Sequence, residues 1–230
     1  MKKRGFIGLS LCFLFGILQA QDCNMAYHPM KEGTKITLSS YNEKGKLTST
    51  SETLLKSVST EGSTLQATFE ATIKNDKGKV LSEGKNYKVK CENGTIKMDI
   101  SSMYMADFAN QMKEMEVSIS GEGIDIPANL SEGQSLSNGN TEVKLGTGGM
   151  TIMTMKFDIT NRKVEKKEAK TTPAGTFDCY KISYDIDMKM IFKKNIHAVQ
   201  WYAPGVGLVR SESYNKKGEM EAYTELTKFN

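Results

Sequence analysis

The sequence predicts an all-β protein, a curved antiparallel sheet or half-barrel built from hairpins, and three observations carry that prediction. One turn sequence recurs, at Asn42-Glu43-Lys44-Gly45, Asn75-Asp76-Lys77-Gly78 and Asn215-Lys216-Lys217-Gly218, each time between extended-looking runs. Asn favours the first turn position because its side chain bonds a later amide, and Gly accepts the positive φ that closes a four-residue hairpin loop. Second, Ile182, Tyr184, Ile186, Met188, Met190 and Phe192 alternate with Lys181, Ser183, Asp185, Asp187, Lys189 and Lys193 around and between them. Third, the same period of two recurs at Leu65, Ala67, Phe69, Ala71 and Ile73 and at Met153, Met155, Phe157 and Ile159. Such strands have one apolar and one wet face, as in a sheet covered on one side only.

Along the chain, residues 1–20 read as a signal peptide. Lys2-Lys3-Arg4 precede an uncharged apolar run from Phe6 to Leu18, and Ala20 stands before a polar chain. That run is too short for the roughly 30 Å core of a bilayer, and no later segment approaches such a length. The mature protein is expected to begin near Gln21 and to be exported, to the periplasm or the medium. Residues 21–230 read as a single β-rich domain, with halves at about 31–120 and 150–229.

Within the first half, Glu92-Asn93-Gly94 adds a short hairpin, and Met115, Val117 and Ile119 suggest one more strand. Met105, Phe108, Ala109 and Met112 recur at helical spacing behind Ser101 and Ser102, which predicts one packing helix near 102–113. The Gly-, Ser- and Asn-rich stretch from Gly121 to Gly149 reads as a long connection with one short strand near Thr141 to Leu145. From Trp201 to Glu212 the chain reads as a strand, a Pro-Gly turn and a returning strand. There Gly205 and Gly207 allow close backbone approach, and the indole covers one edge of the sheet.

Charge removes a class of function. The chain has 31 basic and 27 acidic residues; without Lys2, Lys3 and Arg4 it has 28 against 27, which gives no electrostatic case for binding nucleic acid. Of four cysteines, Cys12 lies in the apolar leader, leaving Cys23, Cys91 and Cys179 as disulfide candidates. One disulfide and one buried thiol are expected, with all three pairings open. Neither Ala20-Gln21-Asp22-Cys23 nor Leu9-Ser10-Leu11-Cys12 fits the pattern for covalent lipid attachment, so a soluble protein is expected.

Catalytic and metal chemistry have little to draw on. Only His28 and His197 are present, neither in a ligand motif, so no metal and no cofactor are expected. A Cys91 or Cys179 nucleophile served by His197 lacks any distinguishing context. Asp185 and Asp187 share a strand face that could hold a cation, but Lys181 and Lys189 share it too, as on an ordinary solvated face. Gly205-Val206-Gly207 opens a strand, whereas a dinucleotide fingerprint must open a helix.

Methionine is the unusual resource, with fourteen in the chain. Thioethers suit a filled core, and they also suit a surface that adapts to varied apolar ligands. If the sheet curls around an incompletely filled interior, Met153, Met155, Phe157, Tyr184, Ile186, Met188, Met190 and Phe192 line a hydrophobic ligand-binding face.

Thr171-Thr172-Pro173-Ala174-Gly175-Thr176-Phe177-Asp178-Cys179-Tyr180-Lys181-Ile182, followed by Trp201-Tyr202-Ala203-Pro204-Gly205-Val206-Gly207-Leu208-Val209-Arg210, resembles a family of exported Bacteroidota proteins called TapB-like. Cys23 to Met30, Lys31-Glu32-Gly33 and Tyr87-Lys88-Val89-Lys90-Cys91 extend the resemblance over nearly the whole mature chain. It implies a curved antiparallel sheet, similar in outline to the half-barrels of periplasmic lipoprotein carriers, without established activity or catalytic residues. The resulting expectation is an exported, non-enzymatic protein that binds a hydrophobic small molecule, lipid or lipidated partner. The alternative is an envelope protein-interaction module with a filled core.

Overall fold

The computed structural model describes residues 23, 26–62, 64–98, 116–189 and 193–230. They form one antiparallel sheet of thirteen strands: β1 (Lys35–Asn42), β2 (Leu47–Glu61), β3 (Thr64–Asn75), β4 (Val80–Glu92), β5 (Thr95–Met98), β6 (Glu116–Ser120), β7 (Asp125–Pro127), β8 (Gly139–Thr147), β9 (Met150–Thr172), β10 (Gly175–Lys189), β11 (Lys193–Ala203), β12 (Gly207–Tyr214) and β13 (Met220–Phe229). The order β6-β8-β9-β10-β11-β12-β13-β1-β2-β3-β4-β5-β7 joins two meanders through the pairing of β1 with β13, and leaves β6 and β7 as edges. The helix expected near 102–113 lies outside the described residues, which contain no α-helix.

All three repeated turns close hairpins as their chemistry requires. Asn42 Oδ1 accepts from the Lys44 and Lys46 amides, Asn75 Oδ1 from Lys77 and Lys79, and Asn215 Oδ1 from Lys217 and Glu219. At the fourth hairpin, Asn93 and Gly94 take φ of 49° and 74°, the two left-handed positions of a type I′ turn. The connection between the halves holds β7 and β8, one strand more than expected.

The main core fills the concave side. Leu55, Ala67, Phe69, Val89, Ile96 and Ile126 come from one meander, and Val164, Ile182, Tyr184, Ala198 and Tyr202 from the other. The N-terminal segment straps the two together. Cys23 is disulfide-bonded to Cys91 on β4, and Ala26 O accepts from the Gly205 amide at 2.8 Å. Tyr27 meets the edge of Tyr180 and His28 the edge of Phe69. Gly207, which lies against the strap at Tyr27 and Pro29, takes a φ of 95°, a conformation that glycine adopts without strain.

A second clasp lies opposite. Past Ile159, β8 no longer accompanies β9, and the connection takes its place through Gly133 N to Val164 O, Val164 N to Gln134 O and Leu136 N to Arg162 O. Buried Arg162 donates to Ser137 O at 2.6 Å and to Asp125 O, on the far edge strand β7, at 2.9 Å. Arg162 thereby ties β9, an interior strand, to the β7 edge of the open sheet without a closing ladder.

One expectation is corrected here, since the sheet is not covered on one side only. Cys179, Val199, Trp201, Ala203 and Val209 form a second, smaller core on the convex face. The tip of the β9–β10 hairpin lies against β12 and β13, where Phe177 meets Phe229. Trp201 is therefore interior, 4 % exposed, instead of covering an edge. Its Nε1 donates to Glu168 at 2.8 Å, and Lys170 Nζ stands 3.9 Å over the ring. Period-two patterning identifies strands but not a strand pair long enough to curl back over its own sheet; β9 has 23 residues.

Candidate functional site

An apolar strip runs over the concave face of β6, β8 and the first half of β9. Directly opposed residues of an antiparallel pair share a face. Val117 opposes Leu145 and Ile119 opposes Val143; Leu145 opposes Met153, Val143 opposes Met155 and Thr141 opposes Phe157. Farther on, Phe157 opposes Met188 and Ile159 opposes Ile186. Val143, Leu145 and Met155 are buried, while Val117, Ile119, Met153, Phe157, Ile186 and Met188 are half-buried.

Five residues predicted from sequence, Met153, Met155, Phe157, Ile186 and Met188, thus occur on this face. Ile186 also packs against the main core, and Tyr184 sits within that core at 7 % exposure. Met190 and Phe192 lie outside the described residues. Val117, Ile119, Val143 and Leu145 complete the strip and were not among the predicted residues. Their alternation is visible in Thr141-Glu142-Val143-Lys144-Leu145, but only the order β6-β8-β9 places them beside the methionines.

Among the cysteine candidates, Cys23 and Cys91 pair and Cys179 is a buried free thiol. Burial above all, then the neighbouring Asp178 carboxylate, pushes the Cys179 thiol up to about 12, and its Sγ donates to Phe177 O. A thiol so protonated is a poor nucleophile. His197 is engaged elsewhere, its Nδ1 standing 2.8 Å from Asp185 Oδ1.

That pair lies in an open cleft of about 690 Å³ on the convex face. Asn161 Nδ2 donates to Asp185 Oδ2 at 2.8 Å, and Asn195 donates to Asp187. The bond from Asn161, followed by that from His197, holds the Asp185 carboxyl below its usual range. The two lysines expected beside these aspartates turn away. Lys189 bonds Asp158 at 2.7 Å, and Lys181 lies over Trp201. Among the described residues no three of His, Cys, Asp or Glu gather as a metal site. Asn161, Asn195 and Tyr214 carry no sequence signal for this cleft, because they come from three strands and meet only through register.

The described residues thus define a protein built on one open, curved antiparallel sheet. The chain belongs to the DUF3108-like family, which matches residues 31–226. A crystal structure from Bacteroides fragilis NCTC 9343, described as an exported protein with a YmcC-like fold, is 24 % identical with a TM-score of 0.73, over 90 % of this chain and 99 % of its own. A crystal structure from Parabacteroides distasonis ATCC 8503, described as a lipoprotein, is 28 % identical with a TM-score of 0.74, over 91 % of this chain and all of its own. These matches bear out the resemblance to exported Bacteroidota proteins at the level of that family and fold; the TapB-like name is not among them. No curated protein matches the chain. Among the described residues no helix is long and apolar enough to cross a membrane.

Proposed function

We propose that the protein binds a hydrophobic small molecule, lipid or lipidated partner on the strip formed by Met153, Met155, Phe157, Ile186 and Met188 with Val117, Ile119, Val143 and Leu145, and does no covalent chemistry. The observation that carries this reading is that Val143, Leu145 and Met155 form an apolar cluster of their own, distinct from the filled concave core and rimmed by half-buried Met153, Phe157, Val117 and Ile119. Unbranched, polarizable thioethers adapt to acyl chains of varied shape at little cost. The protonated Cys179 thiol and the engagement of His197 by Asp185 support a binding role over a catalytic one. Native mass spectrometry of the mature protein from its own envelope fraction tests the reading. A stoichiometric lipophilic adduct is expected; a clean apo mass, with no binding of a fluorescent fatty-acid probe, overturns it. Turnover on ester, peptide or glycan panels overturns the non-enzymatic part.

A second reading, an envelope interaction module, rests on the tip of the β8–β9 hairpin. Met150 and Ile152 are 71 % and 62 % exposed there, beside the edge strand β6. Such an edge offers unpaired backbone groups to a partner strand. Crosslinking at position 150 in envelope fractions should then give a discrete adduct that Met150→Lys abolishes; its absence removes this reading.

A further inference from the structure

The convex cleft is a built site, and nothing in the apolar reading uses it. Four strands contribute one row across its floor: Asn161 from β9, Asp185 from β10, His197 from β11 and Tyr214 from β12. Asp185 opposes His197 and His197 opposes Tyr214, so register alone sets their spacing. Asn161 reaches the row through a bulge in which Asn161 and Arg162 together face the Tyr184 position. Arg162 turns inward to the clasp between β9 and β7, and Asn161 turns outward with φ of 54°. A non-glycine residue in the left-handed region costs on the order of 1 kcal/mol, and here its amide is directed onto a cleft carboxylate.

The polar groups come in pairs. Both oxygens of Asp185 are engaged, Oδ2 by Asn161 and Oδ1 by His197, each at 2.8 Å. Two positions along the same strand, Asn195 donates to Asp187. A carboxylate oxygen has two acceptor sites and an amide nitrogen two hydrogens, so each Asp–Asn pair keeps acceptors and a donor to spare, side by side. The Tyr214 hydroxyl donates to Glu212 at 2.6 Å, which fixes its ring beside the imidazole. Val199 adds an apolar patch and continues into an adjoining hollow of about 310 Å³ that also borders His197.

This pattern selects a ligand chemistry by exclusion and by fit. Within the cleft itself two carboxylates stand against Lys216 and disfavour phosphate, sulfate and uronate groups; Lys166, Lys181 and Glu165 border only the adjoining hollow, where Lys166 is paired with Glu168. Carboxylate and amide walls are a poor lining for an acyl chain, and the acidic groups fall short of a metal shell. Vicinal hydroxyls fit, because each donates one hydrogen bond and accepts another, while the C–H face of a sugar ring packs on an aromatic such as Tyr214. We propose that the convex cleft binds a neutral saccharide, held by the Asp185–Asn161 and Asp187–Asn195 pairs.

The test is titration calorimetry with saturation-transfer NMR on the mature protein, using neutral oligosaccharides alongside their uronate and amino-sugar counterparts. Saturable binding of a neutral sugar is expected. Asp187→Ala and Asn195→Ala should each weaken it about tenfold or more, because each removes one charge-assisted partner. Met153→Ser with Met188→Ser should leave it unchanged, so failure here and failure of the lipophilic reading are separable. Should Asp187→Ala fail to fold, Asn161→Gly deletes the amide while suiting the positive φ of the bulge. Preference for a uronate or an amine, absence of neutral-sugar binding at millimolar concentration, or binding indifferent to these substitutions overturns the proposal.

Discussion

Strand β9 lives in two environments, and the difference between them separates what holds this protein together from the face proposed to meet a ligand. From Ile159 to Val164 it backs the filled concave core, where Val164 is wholly buried and the connection closes over it. From Met153 to Phe157 the same face of the same strand meets β8 and β6 and is only partly covered. Composition shifts with environment. Methionines crowd the partly covered half, whereas the filled core draws on branched and aromatic residues, whose restricted rotamers specify one packing. Rigid shape suits the interior and adaptable shape the strip.

The largest test of this contrast pairs two phenylalanines. Phe69, with no exposure, stacks on Tyr87 and supports His28. Phe69→Ala should lower unfolding free energy by about 3–5 kcal/mol, against about 1 kcal/mol for half-buried Phe157→Ala, read from urea titrations. Equal losses would mean that the strip is as structural as the core.

Next in size is the strap. Cys23–Cys91 closes a sequence separation of 68 residues, so Cys23→Ser with Cys91→Ser should cost roughly 3–4 kcal/mol. A non-reducing peptide map should recover the Cys23–Cys91 link and a single free thiol at Cys179. Because the strap seals the core and not the strip, this double variant should keep binding the fatty-acid probe at low denaturant.

Acid should act on the same side of the comparison. Burial beside Phe69 is the chief cause that lowers the His28 pKa from 6.5 to about 4, partly offset by the Pro29 carbonyl. The unfolded chain therefore binds this proton first as pH falls. The contribution is whole above pH 6.5, declines between 6.5 and about 4, and amounts to roughly 3 kcal/mol. Urea midpoints at pH 7 and pH 4.5 should show the fall, and His28→Leu should flatten it. The smallest structural effect belongs to the strip itself. Met153→Ser with Met188→Ser should move stability by about 1 kcal/mol or less while weakening a lipophilic probe about tenfold, as lost apolar contact requires.

Much of the fold was legible because its signals are local. Asn and Gly at fixed turn positions and alternation along 182–188 or 65–73 depend on neighbours a few residues apart, and each hairpin appears where that chemistry put it. The strip was legible in part for the same reason, since Met153, Met155 and Phe157 share a face by period alone, as do Ile186 and Met188. Tyr184 shows the limit: the period gives its face but not what covers it. Trp201 was misplaced because the element that buries it returns from the far end of β10.

By itself, then, the sequence determined the exported address, the antiparallel strands, their turns and the face on which each methionine lies, all of which follow from spacing along one chain. Only the tertiary structure decided which cysteines pair, that Arg162 ties β9 to the β7 edge, which stretch of the apolar face is filled, and that Asn161, Asp185, His197 and Tyr214 stand in one row. Those outcomes depend on contacts between strands distant in sequence, where curvature and register, not local preference, choose the neighbours.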